Sequence, residues 1–259
     1  MPGSESLGTQ IWLCLSALAA GAINSIAGGG TLLTFPALTA VVPYEVANAT
    51  STVALVPGSA AGAWGYRREF AAIRRWALIL AGPSLVGGYV GTRLVIAFPD
   101  AFQILVPWLI LTAALLFLLQ PTLSRFTRGG QKHGPPSTGA WVGVIAFQFL
   151  VAVYGGYFGA GIGILMITSL SLMGAGHIHE TNALKTFLAA CINGVSVVVW
   201  VAYDKVRWDL APGMAVAAIV GGYLGAHFAR RLPKALVRGI VIAIGFGLAA
   251  YYFYKQVAA

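Results

Sequence analysis

The stretch INSIAGGGTLLTFPAL, residues 23 to 38, sets three consecutive glycines and several hydroxyls inside one of the most apolar parts of the chain. Such a triplet predicts a break in a helix, because each glycine lets the backbone leave helical geometry and costs a helix roughly 1 kcal/mol against alanine. What the break does depends on the medium around it, and composition identifies that medium. The chain is 58% hydrophobic and 9% charged with a mean hydropathy of +0.82, whereas a soluble domain carries about a quarter charged residues. This is the composition of an integral membrane protein.

Long apolar runs recur from residue 9 to residue 254, and the longest polar interruption is residues 121 to 138, so no separate soluble domain fits between them. The net charge of +9 sits in short loops, where it acts as an orientation signal rather than as a surface for nucleic acid. Cys14 and Cys191 lie within apolar runs, which reads as packing and not as a disulfide framework. The N-terminal MPGSESLGTQ has no Lys or Arg, whereas a secretory signal opens with positive charge, so the first run is read as a retained span.

Ten segments emerge: 9 to 27, 29 to 43, 46 to 65, 76 to 98, 101 to 120, 139 to 157, 161 to 174, 181 to 201, 210 to 229 and 235 to 254. Eight are long enough, at ~1.5 Å per residue, to cross a ~30 Å hydrocarbon core or nearly so. The second and seventh reach only ~20 Å as helix, which predicts half-membrane helices or re-entrant hairpins. Arg67, Arg68, Arg74 and Arg75, then Arg125, Arg128 and Lys132, then Arg230, Arg231, Lys234 and Arg238 occupy three loops that ten segments place on one side. That side is the cytoplasm, and both termini are expected outside.

The chain also matches itself. Val86-Gly87-Gly88-Tyr89-Val90-Gly91 corresponds to Val220-Gly221-Gly222-Tyr223-Leu224-Gly225, and Asn48, Ala49 and Thr52 to Asn182, Ala183 and Thr186, always 134 residues apart. Gly28-Gly29-Gly30 aligns with Gly161-Ile162-Gly163 after a shift of one. The expected architecture is therefore an all-α integral membrane protein of two five-segment repeats, 1 to 120 and 139 to 259, joined by a basic cytoplasmic linker at 121 to 138. Five is odd, so the second repeat enters the membrane inverted. Inverted repeats with Gly-interrupted segments at corresponding positions are the pattern of secondary transporters, whose interrupted segments mark the binding site.

A helix restarting at Thr31 or Gly163 directs N–H groups and a partial positive charge into the break, where an anion is favoured. The expected substrate-binding residues are Gly29, Gly30, Thr31, Asn48 and Thr52 from the first half. Ile162, Gly163, Asn182, Lys185 and Thr186 are those from the second. Lys185 is a formal charge well inside a span, which marks function unless it snorkels to the cytoplasmic face. Asn48 and Asn182 bind substrate or tie helices together. The glycines of the two GGY motifs read as close-packing positions, and Arg93 as a snorkelling residue. HIHE at 177 to 180 carries metal-compatible side chains but lacks further ligands beside it, so no metal or other cofactor is expected.

AGGGTLLTFPAL at the end of the first span, EVANATS at 45 to 51, and the diverged second copy FGAGIGILMITSL with HETNALKT resemble the sulfite exporter TauE/SafE family of membrane permeases. The resemblance covers nearly the whole chain. The second copy departs from the family pattern at Ile162, where a glycine is usual, and at Ser169, where a proline is common. The resemblance implies export of sulfite or a related organosulfur anion such as a sulfonate across the bacterial inner membrane. The residues themselves leave an anion channel open beside a carrier. An intramembrane enzyme or accessory subunit is the remaining alternative, although no nucleophile and base, metal set or GxxxxGK[ST] phosphate loop is recognisable. The expected partners are a small sulfur-containing anion, the lipid bilayer and a second copy in a homodimer, with no nucleic acid.

Overall fold

A computed structural model describes residues 6–26, 29–65, 70–129, 138–172, 178–228 and 234–258. Among the described residues there are ten α-helices and no strand. They are α1 (Leu7–Ile26), α2 (Thr31–Leu38), α3 (Tyr44–Gly65), α4 (Phe70–Ala97), α5 (Pro99–Gly129), α6 (Thr138–Tyr157), α7 (Ile162–Leu172), α8 (Ile178–Ala202), α9 (Ala211–Phe228) and α10 (Lys234–Ala258). Each apolar run has become one helix. Two helices outrun their apolar segments: α4 begins at Phe70 and takes in Arg74 and Arg75, and α5 continues through Pro121 to Gly129, into the expected linker. Charge ends the membrane-compatible run but not the backbone ladder, which water tolerates as readily as lipid does.

Five of these helices are long and apolar enough to cross a bilayer, namely α1, α4, α5, α8 and α10, and α6 and α9 contain shorter apolar stretches. Trp12, Leu78, Leu150, Val216 and Tyr223 are each more than half exposed on them, as expected of surface that contacts acyl chains. The protein is a multi-pass helical membrane protein.

Lipid tails are as apolar as leucine, so helices in a bilayer associate through close packing and hydrogen bonds instead of water exclusion. Two seams show how. Along the first, α1 packs on α9: a Cβ on Gly21 would meet the Ala218 carbonyl, and one on Gly221 the Leu18 carbonyl. Cys14 faces Gly213 further toward the helix starts, so the two helices run parallel. Along the second, α4 packs on α6 and α8, with Gly91 against the Val153 carbonyl, Gly156 against Gly88, and Trp76 over Trp141 at 4.3 Å. These helices are parallel too. The GGY glycines Gly87, Gly91 and Gly221 therefore lie where the helix backbones meet.

The remaining packing joins α10 to α5, and α3 to both α8 and α9. Polar contacts group the helix ends. Lys205 pairs with Glu45 at 3.8 Å and the Arg207 N–H donates to Thr50 Oγ1 at 3.1 Å, placing the α8–α9 connection over the start of α3. Gln256 donates to the Gln103 and Ile104 carbonyls, placing the end of α10 beside the start of α5.

Both short helices fold back. Gly29 (φ +94°), Gly159 (φ +83°) and Gly161 (φ +81°) take left-handed conformations that side chains disfavour. A Cβ on Gly30 would lie 2.6 Å from the Ala20 carbonyl oxygen, so α2 returns along α1; Ile162 packs on Gly155, so α7 returns along α6. With 8 and 11 residues these helices reach about 12 and 16 Å.

Candidate functional site

The two breaks rest on one turn of α5. The Cβ position of Gly29 falls 2.5 Å from the Phe117 ring, and that of Gly161 falls 3.4 Å from Leu116 Cδ1. Only glycine fits the first place. Beyond the breaks an aromatic cluster joins the two halves of the chain: Phe35 of α2 meets Phe158, just past α6, edge to face at 5.3 Å, and Phe102 meets Tyr157 at 5.3 Å. Phe35, Phe102 and Phe158 are fully or almost fully buried.

Asn48 makes the polar link. Its side chain, 1% exposed, donates from Nδ2 to the carbonyl of Tyr157 at 2.9 Å, at the last residue of α6. A residue of α3 thus holds the backbone just before the second break. Tyr154 holds the other edge, its hydroxyl donating to the Ala160 carbonyl at 2.8 Å. Among the described residues the Oδ1 atom of Asn48 is buried without a partner. The first break is tied locally, the Gly30 N–H donating to Asn24 Oδ1 at 3.2 Å. That N–H, expected to face an anion, is engaged within the chain.

Lys185, in the second full turn of α8, lays its stem across the start of α7. Its Cδ is 3.3 Å from where a Cβ of Gly163 would be, so the absent side chain makes room for the lysine. Among the described residues Lys185 makes no ion pair. Ile162 is buried beside it, in the position expected to carry a glycine. Thr52 and Thr186 turn inward on their own helices, donating to the Asn48 and Asn182 carbonyls, both at 2.8 Å. Thr31 and Asn182 are partly buried, at the start of α2 and in the second turn of α8.

The structure thus brings Gly29 to the same α5 turn as the second break, Asn48 to Tyr157, and Gly163 to Lys185. It engages the Gly30 N–H and the Thr52 and Thr186 hydroxyls elsewhere. Tyr154, Tyr157 and Phe158 were not legible as site residues, because their role comes from partners on other helices. The Thr34–Ser51 hydroxyl contact at 2.6 Å is a further buried link between α2 and α3. A cavity of about 440 Å³ lies between α4, α5 and α6, lined by Leu94, Phe98, Leu105, Leu150, Tyr154 and Tyr157. It is apolar and sits beside the second break, not between the two. Among the described residues no three His, Cys, Asp or Glu side chains group as a metal site; His177 of HIHE lies outside them.

Comparison with known proteins covers nearly this whole arrangement. The family described as Sulfite exporter TauE/SafE matches residues 13–252. A probable membrane transporter protein of Haemophilus influenzae is 27% identical over 239 residues, 90% of each chain. The probable membrane transporter protein YfcA of Escherichia coli K12 is 28% identical over 244 residues, 93% of this chain and 88% of the relative. YdhB of Bacillus subtilis, also called a probable membrane transporter protein, is 25% identical over 233 residues, 83% of this chain and 86% of its own length. Matched over residues 13–252, the chain belongs to the TauE/SafE sulfite exporter family.

Proposed function

We propose that this protein is a secondary transporter that exports sulfite or a related organosulfur oxyanion such as a sulfonate across the bacterial inner membrane. The anion is held near mid-membrane between the two Gly-interrupted helices, with Lys185, Asn182 and the start of α7 on one side and α2 and α3 on the other. The observation that carries this reading is the meeting of the breaks: both rest on one turn of α5, and Asn48 of α3 ties the end of α6. Such discontinuous segments at corresponding positions are where secondary transporters bind cargo.

The helix pairing supports two repeats, 1 to 120 and 139 to 259, with 121 to 138 as the basic connection. Shifting each helix by five places turns the α1–α9 seam into α6–α4, α2–α3 into α7–α8, and maps α5–α10 and α3–α8 onto themselves, all of which are packed pairs. In this topology each short helix carries the chain back to the face from which the preceding helix set out, so that α3 starts outside and α8 inside, the Arg-rich ends lie in the cytoplasm and both termini lie outside. The Trp76–Trp141 stack, which groups the starts of α4 and α6, fits that assignment. Alternating access follows from rocking one repeat against the other about the fixed site.

The test is uptake of radiolabelled sulfite into proteoliposomes holding the purified protein, with Asn182→Ala and Lys185→Ala beside it. Saturable uptake that falls about tenfold or more in variants with an unchanged size-exclusion profile is expected. Flux equal to that of empty liposomes would remove the reading.

A further inference from the structure

The polar groups around the breaks divide by hydrogen-bonding role. A carbonyl oxygen only accepts, so every contact to one fixes where the hydrogen lies. The Asn48 amide is oriented in this way by the Tyr157 carbonyl: Nδ2 is committed, and Oδ1 is left as a buried acceptor with no partner. Thr52 has given its hydrogen to the Asn48 carbonyl, so its oxygen offers lone pairs alone. The Gly30 N–H is committed to Asn24. On the α3 side the site accepts. On the α7–α8 side stands Lys185, whose stem crosses Gly163 and whose ammonium only donates.

A bare oxyanion suits the lysine and repels the Asn48 oxygen. A buried acceptor without a donor carries a desolvation penalty that a hydrogen-bearing ligand relieves and a donor-free one does not. We infer that the cargo is an anion that brings its own O–H or N–H, with its charged oxygens toward Lys185 and its hydrogen toward Asn48 Oδ1. Hydrogensulfite and the hydroxy- or amino-alkanesulfonates share this chemistry; sulfate and simple alkanesulfonates lack it. The inference rests on the transport reading above and sharpens its substrate.

The experiment measures competition against radiolabelled sulfite uptake in the same proteoliposomes. Two near-isosteric comparisons with ethanesulfonate supply the organic arm: 2-hydroxyethanesulfonate and 2-aminoethanesulfonate. Hydrogenphosphate against sulfate, alike in charge and shape and differing by one O–H, supplies the inorganic arm as the stand-in for hydrogensulfite, which the label itself already contains. The donor-bearing member is expected to compete at concentrations about tenfold or more lower than its donor-free counterpart. A preference in the organic arm assigns an organosulfonate; a preference confined to the inorganic arm assigns hydrogensulfite. In Asn48→Leu the ratio should collapse toward one, and if that variant fails to fold, the ratios of the unaltered protein still decide. Donor-free anions that compete as strongly as their counterparts overturn the inference and leave transport standing. Absence of sulfite uptake removes both.

Discussion

The two seams α1–α9 and α4–α6 solve one packing problem with different chemistry. Both set glycine against a backbone carbonyl, Gly221 on Leu18 in the first and Gly91 on Val153 in the second. Among the described side chains the first adds apolar groups and Cys14. The second adds polar rungs: Gln148 donates to Ser84 at 2.9 Å, and Thr92 lies 2.8 Å from Ser196 and 3.1 Å from the Gly156 carbonyl. At a spacing of 134, Gln148, Ser84 and Thr92 correspond to Cys14, Ala218 and Ala226. Close backbone approach is therefore the shared requirement of a seam, and among the described residues the rungs are an addition of the second.

The largest expected effect comes from breaking the shared requirement. Gly221→Leu puts a side chain into the Leu18 carbonyl and is expected to cost more than about 3 kcal/mol, because two main chains must separate. Gly58→Ala, inside α3 at a position with nothing within 4 Å, serves as the control and should keep stability or raise it by up to about 1 kcal/mol. Size-exclusion profiles and thermal unfolding in detergent separate the two. An intact, equally stable Gly221→Leu protein would mean that the seam is not held by backbone approach.

A smaller effect sharpens the difference between the seams. Ser84→Ala leaves the Gln148 amide, already carrying a buried unpartnered Oε1, without its remaining partner, and about 1–3 kcal/mol of stability should be lost. Adding Gln148→Leu removes the polar groups of this rung altogether, leaving the Thr92 rung in place, and should recover most of that loss. A double variant as unstable as Ser84→Ala would show that the rung holds the seam by itself.

The smallest effect concerns the loop that feeds α9. The Arg207 guanidinium, hydrogen-bonded to Asp209 at 2.6 and 2.8 Å, lowers that carboxyl's pKa below its ordinary value. A depressed folded-state pKa stabilises above the unfolded pKa, and the benefit is lost as pH falls through the lowered value. Asp209→Asn should accordingly weaken the acid sensitivity of unfolding slightly, by well under about 1 kcal/mol for an exposed pair. An unchanged acid-unfolding profile would assign the pair no role in holding the loop.

The helices were legible because apolar runs and their punctuation are local. Gly29 and Gly161 were legible as breaks for the same reason, and both have positive φ. The inward turn of Thr52 and Thr186 was available too, since a helical threonine tends to bond the carbonyl four residues back. By it the hydroxyl hydrogens of Thr52 and Thr186 are committed to their own helices, leaving the oxygens as acceptors. Asn48 meeting Tyr157, Phe35 meeting Phe158 and Arg207 meeting Thr50 were not legible, because each joins residues far apart whose neighbours in sequence say nothing of the encounter.

The parallel seams also set a timetable for synthesis. At ~5–20 residues per second, α4 finds α6 soon after it leaves the ribosome, whereas Gly21 of α1 waits on the order of 10–40 s for Gly221 of α9. During that interval α1 waits longest for its closest neighbour, and its glycine face lies open to lipid or to another nascent chain. A chain cut short before α9 therefore strands α1 without the helix that its glycine face fits.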